Sequence, residues 1–200
     1  MLAIIDYGVG NLFSLQCSLK SIGVEAVVTN DAEVIKKADR IILPGVGAFG
    51  DAAKKLRATG LVDVIKNEAE NGKPFLGICL GMQLLFEKGY EYGEHEGLGL
   101  LKGQVVPMAG KINPELKIPH MGWNALEVRQ GRLLAEVDGQ YVYFVHSFFA
   151  ENCEDSLSAV TEYDIPITAA VEKGNIFGCQ FHPEKSGKVG LSILQKFCRL

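Results

Sequence analysis

The 200-residue sequence predicts an α/β fold, an open and mostly parallel sheet flanked by helices with an antiparallel β extension. Over the first ninety residues, short apolar runs alternate with helix-period segments, the pattern of strands buried on both faces under helices. The later segments read mainly as strands punctuated by Gly131, Gly139 and Gly174, which favours hairpins. The length suits one well-buried domain, so residues 1–200 are expected to form a single unit.

Leu2 to Ile5 is the first strand, broken by Asp6-Tyr7-Gly8-Val9-Gly10-Asn11. Leu12, Leu15, Leu19 and Ile22 then share a helical face, with Gly23 as its stop. Val24 to Val28 reads as the second strand, and Thr29-Asn30-Asp31 leads into a short capped helix. Arg40 to Leu43 is the third strand, ending at Pro44-Gly45-Val46-Gly47. A helix over 61–71 carries Leu61, Ile65 and Ala69 on one face before Gly72. Pro74 to Ile78 is the fourth strand, and a helix is expected over 81–87. Beyond it, Val105-Val106 and the stretches 125–128, 141–145, 158–162, 168–172 and 175–181 read as strands, and 189–197 as the closing helix.

Twenty basic and 24 acidic residues give a net charge of -4 without a run of like charge, so neither nucleic acid nor a membrane surface is an expected partner. No apolar stretch reaches transmembrane length, and Met1 to Asp6 opens as a strand without a signal-peptide pattern. Five cysteines (17, 79, 153, 179, 198) lack metal-like spacing and imply free thiols in a reducing, cytoplasmic setting. The four histidines share no ligand spacing either, so no metal and no cofactor is expected.

One cysteine stands apart. Cys79 is flanked by Gly77 and Gly81 between a strand and a helix, the thiol version of a nucleophile elbow. Such a turn needs small neighbours, and it sets the sulfur at a helix N-terminus, where free N–H groups and the helix dipole favour a thiolate. The Leu80 N–H would serve as one oxyanion donor. The other four cysteines have no such frame and read as structural. A base is offered by His182, after an apolar strand and held by Pro183, with Glu184 two positions on. In an extended segment those two side chains point to the same side, so Glu184 can orient the imidazole. Nucleophile, base and orienter together suit acyl transfer through a thioester. His95, in a charged loop, is expected in solvent; His120, beside Pro119, suits either packing or a partner surface; His146 reads as a strand-end histidine. From these residues alone, a cysteine peptidase, another thiol hydrolase and a non-catalytic binding module also remain open.

The segments Gly77-Ile78-Cys79-Leu80-Gly81-Met82-Gln83 and His182-Pro183-Glu184 resemble those of the class I, triad-type glutamine amidotransferases, a flavodoxin-like α/β family. Within that family, Asp6 to Asn11 and Pro119-His120-Met121-Gly122-Trp123-Asn124 resemble the glutaminase subunits of imidazole glycerol phosphate synthases, and the resemblance runs nearly end to end. The glutaminase partner of a vitamin B6-forming synthase is the alternative within the class. The resemblance implies that Cys79 attacks the glutamine side-chain amide, with His182 as acid and base and Glu184 as its orienter. Leu80 and the Gly45-Val46-Gly47 loop would supply the oxyanion hole. Gln83, Ser147, Phe148 and Glu91 would lie against the substrate glutamine. Phe148 departs from the tyrosine that relatives often carry. The match leaves no residues for a domain that would use the ammonia, so a (β/α)8 barrel cyclase subunit is the implied partner in a heterodimer, making imidazole glycerol phosphate and an aminoimidazole carboxamide ribotide. Asn11, His120, Met121, Trp123, Asn124 and Lys185 are the candidate interface.

Overall fold

The computed structural model describes residues 1–200. Strands β1 (Leu2–Ile5), β2 (Ala26–Thr29), β3 (Arg40–Gly45) and β4 (Phe75–Cys79) run parallel in the spatial order β2-β1-β3-β4. Helices α1 (Leu12–Ser21), α2 (Ala32–Lys37), α3 (Phe49–Ala58) and α4 (Val62–Glu70) connect them, and a single helical turn, α5 (Leu80–Gln83), follows β4. Two short strands, β5 (Lys88–Gly89) and β6 (His95–Glu96), join β7 (Gln104–Pro107) in a second sheet. After β8 (His120–Ala125), β9 (Glu127–Val128), β10 (Tyr141–His146) and β11 (Phe148–Glu151) come β12 (Leu157–Tyr163), β13 (Ile165–Lys173) and β14 (Ile176–Cys179). A 3-10 turn, Pro183–Lys185, leads into α6 (Gly187–Phe197).

The main sheet has the order β2-β1-β3-β4-β14-β13-β12-β9, in which β14 lies parallel to β4 and the strands beyond it are antiparallel. Its two faces are apolar, as a covered sheet requires. Ile41 and Leu43 pack with Ile35 of α2 and Ile65 of α4 on one face; Ile42 packs with Leu15 of α1 and Leu194 of α6 on the other. That alternation follows from the two-residue period of a strand. Local signals set the helix ends. The Asn11 side chain accepts the Ser14 N–H at the start of α1, and Asp31 accepts the Glu33 N–H at 2.8 Å at the start of α2. Gly23, at φ +77°, lets the chain leave α1.

Several expectations need correction. The helix expected over 81–87 stops at Gln83; beyond it the chain tightens into a turn, the Leu85 and Phe86 N–H groups donating three residues back to the Met82 and Gln83 carbonyls at 3.0 and 3.2 Å. The strand expected over 125–128 is split at Leu126: β8 pairs with β10, whereas β9 crosses to pair with β12. Residues 49–58, unassigned from sequence, form α3 around Phe49, Ala52, Ala53 and Leu56; β5, β6 and β11 are likewise additional. No helix is long and apolar enough to cross a membrane.

Candidate active site

Parallel register assembles the site. Gly45 at the end of β3 pairs with Cys79 at the end of β4, and Cys179 at the end of β14 pairs with Ile78. Three strand ends therefore meet at one carboxyl edge, where open α/β sheets bind their ligands. Cys79 has φ +54° and ψ -113°, a strained conformation for a residue with a side chain. The strain is imposed by close packing of the turn. A Cβ on Gly77 would lie 2.6 Å from the Gly81 carbonyl oxygen, and one on Gly81 would overlap the Leu43 carbonyl oxygen. With only one turn in α5, the dipole support expected for the sulfur reduces to the first few N–H groups, Leu80 among them.

His182 and Glu184 come together by a different route from the one expected. His182 is extended, but Glu184 lies in the 3-10 turn, which folds its carboxylate back so that Oε1 sits 2.8 Å from His182 Nδ1. Both side chains are buried, 3% and 4% exposed. The histidine backbone is pinned to β10, its N–H donating to the Tyr143 carbonyl at 2.9 Å, and its carbonyl accepts the Ser186 hydroxyl at 2.6 Å. Burial alone would lower the His182 pKa. The adjacent Cys79 sulfur and the Glu184 carboxylate bonded to the ring outweigh it and raise the value to about 10, so the ring is a proton donor at neutral pH. By contrast, burial pushes the thiols of Cys179, Cys153 and Cys198 upward and holds them neutral.

The segment expected to supply the oxyanion hole also differs from a uniform glycine loop. Gly45 is a buried β-strand residue, where a Cβ would meet the Gly81 nitrogen at 2.7 Å and the Tyr7 hydroxyl at 2.8 Å. Its role is room; the loop proper begins at the exposed Val46, and Gly47 at φ +95° carries the conformational freedom. Tyr7 donates its hydroxyl to the Pro44 carbonyl at 2.8 Å and secures the strand end; burial keeps it a neutral phenol.

A cavity of about 310 Å³ opens over Cys79 and His182 and is lined by Gly47, Gln83, Glu91, Ser147 and Phe148 among others. Every substrate-contact candidate thus borders one space. Glu91 accepts the Phe49 N–H at 2.7 Å through Oε2, and Gln83 donates to the Phe148 carbonyl at 3.1 Å. That carbonyl is engaged whatever side chain stands at 148. A larger cavity of about 540 Å³ lies beyond Glu91, edged by Lys54, Arg57, Glu94 and Glu96, and is lined by no cysteine, serine or threonine. His95 borders it and is half-buried rather than fully in solvent, its Nε2 3.0 Å from the Glu91 carbonyl.

His120 is the main correction on the interface side. It is 3% exposed, stacked on Tyr163 and Phe144, with Nδ1 3.0 Å from His146 Nε2. The Phe148 carbonyl, an obligate acceptor 2.8 Å from His146 Nδ1, fixes both tautomers: His146 donates to it and His120 donates to His146. Asn124 turns inward too, its amide donating to the Glu162 carbonyl at 2.8 Å. Met121, Trp123 and Lys185 are exposed as expected, and Asn11 is half-buried with its side chain spent on capping α1. Sequence reasoning missed this histidine pair and also Gln180, a polar residue in the apolar run 176–181 that is fully buried beside Cys79.

Burial lowers the His120 pKa to about 4 and the His146 pKa to about 3, the latter helped by repulsion from His120 and His182. Below pH 6.5 the unfolded chain takes up these protons before the folded one does. Stability is therefore lost as the pH falls from 6.5 toward 4, by roughly 2 kcal/mol per ring at pH 5. His182 acts oppositely: its contribution is complete below pH 6.5 and disappears as the pH rises through about 10. Urea unfolding of the wild type and of His120→Gln between pH 4 and 7 checks this. The variant should show the weaker pH dependence, and equal slopes would refute the assignment.

Comparison with known proteins places this geometry. The model of the "Glutamine amidotransferase class-I" family matches residues 3–199. An "Imidazole glycerol phosphate synthase subunit HisH" of Caldanaerobacter subterraneus subsp. tengcongensis is 54% identical over 200 residues, covering 98% of this chain and 97% of its own length. Its namesake from Oceanobacillus iheyensis is 50% identical, with 98% of each chain covered. Among solved structures, a glutamine amidotransferase superposes with a TM-score of 0.77 at 21% identity over 98% of this chain and 97% of its own. PurLQS from Thermotoga maritima gives 0.75 at 23% over 99% and 97%; at such identities these two speak to the fold alone. The chain belongs to the class I glutamine amidotransferase family.

Proposed function

We propose that this chain hydrolyses the side-chain amide of glutamine at Cys79 and acts as the glutaminase subunit of an imidazole glycerol phosphate synthase. The observation that carries the reading is the buried Cys79–His182–Glu184 set at the mouth of a cavity of about 310 Å³, a size suited to one amino acid. Full-length relatives about 50% identical and named as subunits of that synthase support the choice of complex.

The sulfur of Cys79 attacks the amide carbon, and the developing oxyanion is held by the Leu80 N–H and a donor from Val46-Gly47. The C–N bond breaks as His182 gives its proton to the departing ammonia, leaving a γ-glutamyl thioester. Neutral His182 then takes a proton from water, the hydroxide attacks the thioester carbon, the C–S bond breaks to release glutamate, and the thiolate beside protonated His182 is restored. Glu184 holds the ring in register throughout. Gln83, Glu91, Ser147 and Phe148 position the substrate, and no cofactor is needed.

The 200 residues work as one amidotransferase domain, in the cytoplasm, and the ammonia passes to a (β/α)8 cyclase subunit. Exposed Met121 and Trp123 on β8, with Lys185 lying 5.9 Å over the Tyr143 ring, form the docking surface. Glutamate release measured with and without the cyclase subunit and its nucleotide tests the coupling. We expect at least a tenfold rise on adding both; equal rates would defeat it.

A further inference from the structure

Gln180 occupies a position that the catalytic scheme above does not use. It follows β14 directly, is fully buried, and sends its backbone N–H to the Ala169 carbonyl at 2.8 Å. Its side-chain amide must therefore find separate partners, because an unbonded buried amide is strongly disfavoured. It has two: Nε2 lies 3.7 Å from Cys79 Sγ, and Oε1 lies 2.9 Å from Gln83 Nε2.

We propose that Gln180 is a positioning residue for the nucleophile, its Nε2–H donating to Cys79 Sγ with the donor end of the amide selected by Gln83 and the Phe148 carbonyl. The direction of each bond follows from one group that can only accept. The Phe148 carbonyl faces Gln83 at 3.1 Å, so the Gln83 atom there is the nitrogen. The same nitrogen faces Gln180, so the Gln180 atom opposite is the oxygen. The NH2 group is then left for the sulfur; a flipped Gln180 would set NH2 against NH2. The Phe148 carbonyl is itself steadied by His146 Nδ1 at 2.8 Å, and the neighbouring Ser147 carbonyl by the Met108 N–H at 3.0 Å.

Such a donor has work to do at this turn. Cys79 must present its sulfur to His182 on one side and to the cavity on the other, from a backbone already strained. A hydrogen bond from Gln180 supplies a third, fixed direction. It also strengthens when the sulfur carries charge, since bonds to ionised acceptors exceed neutral ones. A buried glutamine acting only as filler would leave the reactivity of Cys79 untouched.

The experiment is alkylation of Cys79 by iodoacetamide from pH 5 to 9, read by peptide mass so that Cys17 and Cys198 do not interfere. Gln180→Met removes the donor at similar volume. Gln180→Glu keeps the shape and still accepts from Gln83, but turns a carboxylate oxygen toward Sγ. The expected result for the methionine variant is about a tenfold slower alkylation at pH 7, with the pH profile displaced upward. Its kcat for glutamine should fall by a similar factor; KM is compared in the glutamate variant, which keeps the acceptor for Gln83 and should be slower still. Thermal melts identify which variants are folded, and the near-isosteric glutamate variant decides alone if the methionine one is not. Wild-type alkylation rate and profile in a folded variant would overturn the assignment. The kinetic arm rests on the glutaminase reading; the alkylation arm needs neither glutamine nor a partner, so failure of one is distinguishable from failure of the other.

Discussion

Cys79→Ala will release no glutamate above background, a loss of at least about 10⁴-fold, because no second thiol can replace the sulfur at the elbow. Cys179 points into the core and is held neutral by burial, and Cys17, Cys153 and Cys198 are absent from the lining of the cavity. The same site carries a stability prediction of independent origin. At φ +54°, any side chain is strained, whereas glycine is not. Cys79→Gly should therefore be more stable than Cys79→Ala by about 1 kcal/mol, although both are inactive. Glutamate release and urea midpoints on the two variants check both statements. Activity within tenfold of wild type in either variant would remove Cys79 from the mechanism. Alanine proving the more stable would mean that the turn stores no strain.

Where the fold was legible in the sequence, the reason is contrast. Leu2 to Ile5, Arg40 to Leu43 and Phe75 to Ile78 are dense apolar runs between turn signals, and the stripe Leu12, Leu15, Leu19 is large against a polar background. Helix α3 hides because two of its four buried positions are alanines, and their small apolar area barely marks the stripe among Lys54, Lys55 and Arg57. Segment 84–86 misleads for the opposite reason: three large apolar residues read as helix, yet their N–H groups at 85 and 86 bond three residues back and the chain turns.

The site divides along the same physical line, between local and distant partners. Cys79 with its glycines, and His182 with Glu184, are short motifs whose chemistry is contained in a few residues, so they can be read directly. His120 and His146 are directly opposite each other in the β8–β10 ladder and 26 residues apart in the chain. Without that register, His120 looks like one more group on an exposed segment beside Met121 and Trp123. Gln180 is a similar case. Its partners, Cys79 and Gln83, come from the other side of a parallel pairing that only the fold establishes. A glutamine inside the run Ile176 to Phe181 is nonetheless a signal, since a buried amide requires bonds.

Gly81→Ala tests how the elbow is held. Gly81 is not at positive φ, so a methyl group there costs nothing in backbone conformation; the whole effect is steric. The new Cβ would overlap the Leu43 carbonyl oxygen, and that atom belongs to β3, whose pairing with β4 runs as far as Gly45 opposite Cys79. Neither strand can retreat without breaking the parallel ladder that brings the site together. A loss of about 4 kcal/mol is expected, a large fraction of the stability of an ordinary domain yet small enough to leave a measurable unfolding transition. Gly72→Ala is the matched control: it sits at φ +91° with nothing within 4 Å, so its cost is conformational and about 1 kcal/mol. Urea midpoints of the two variants separate close approach from backbone freedom. Equal losses would mean that β3 yields readily, and the elbow would then owe its geometry to Cys79 and its neighbours alone. A far larger loss at Gly81 would mean that the nucleophile is placed by the end of the adjacent strand, which ties the chemistry of Cys79 to the packing of the sheet.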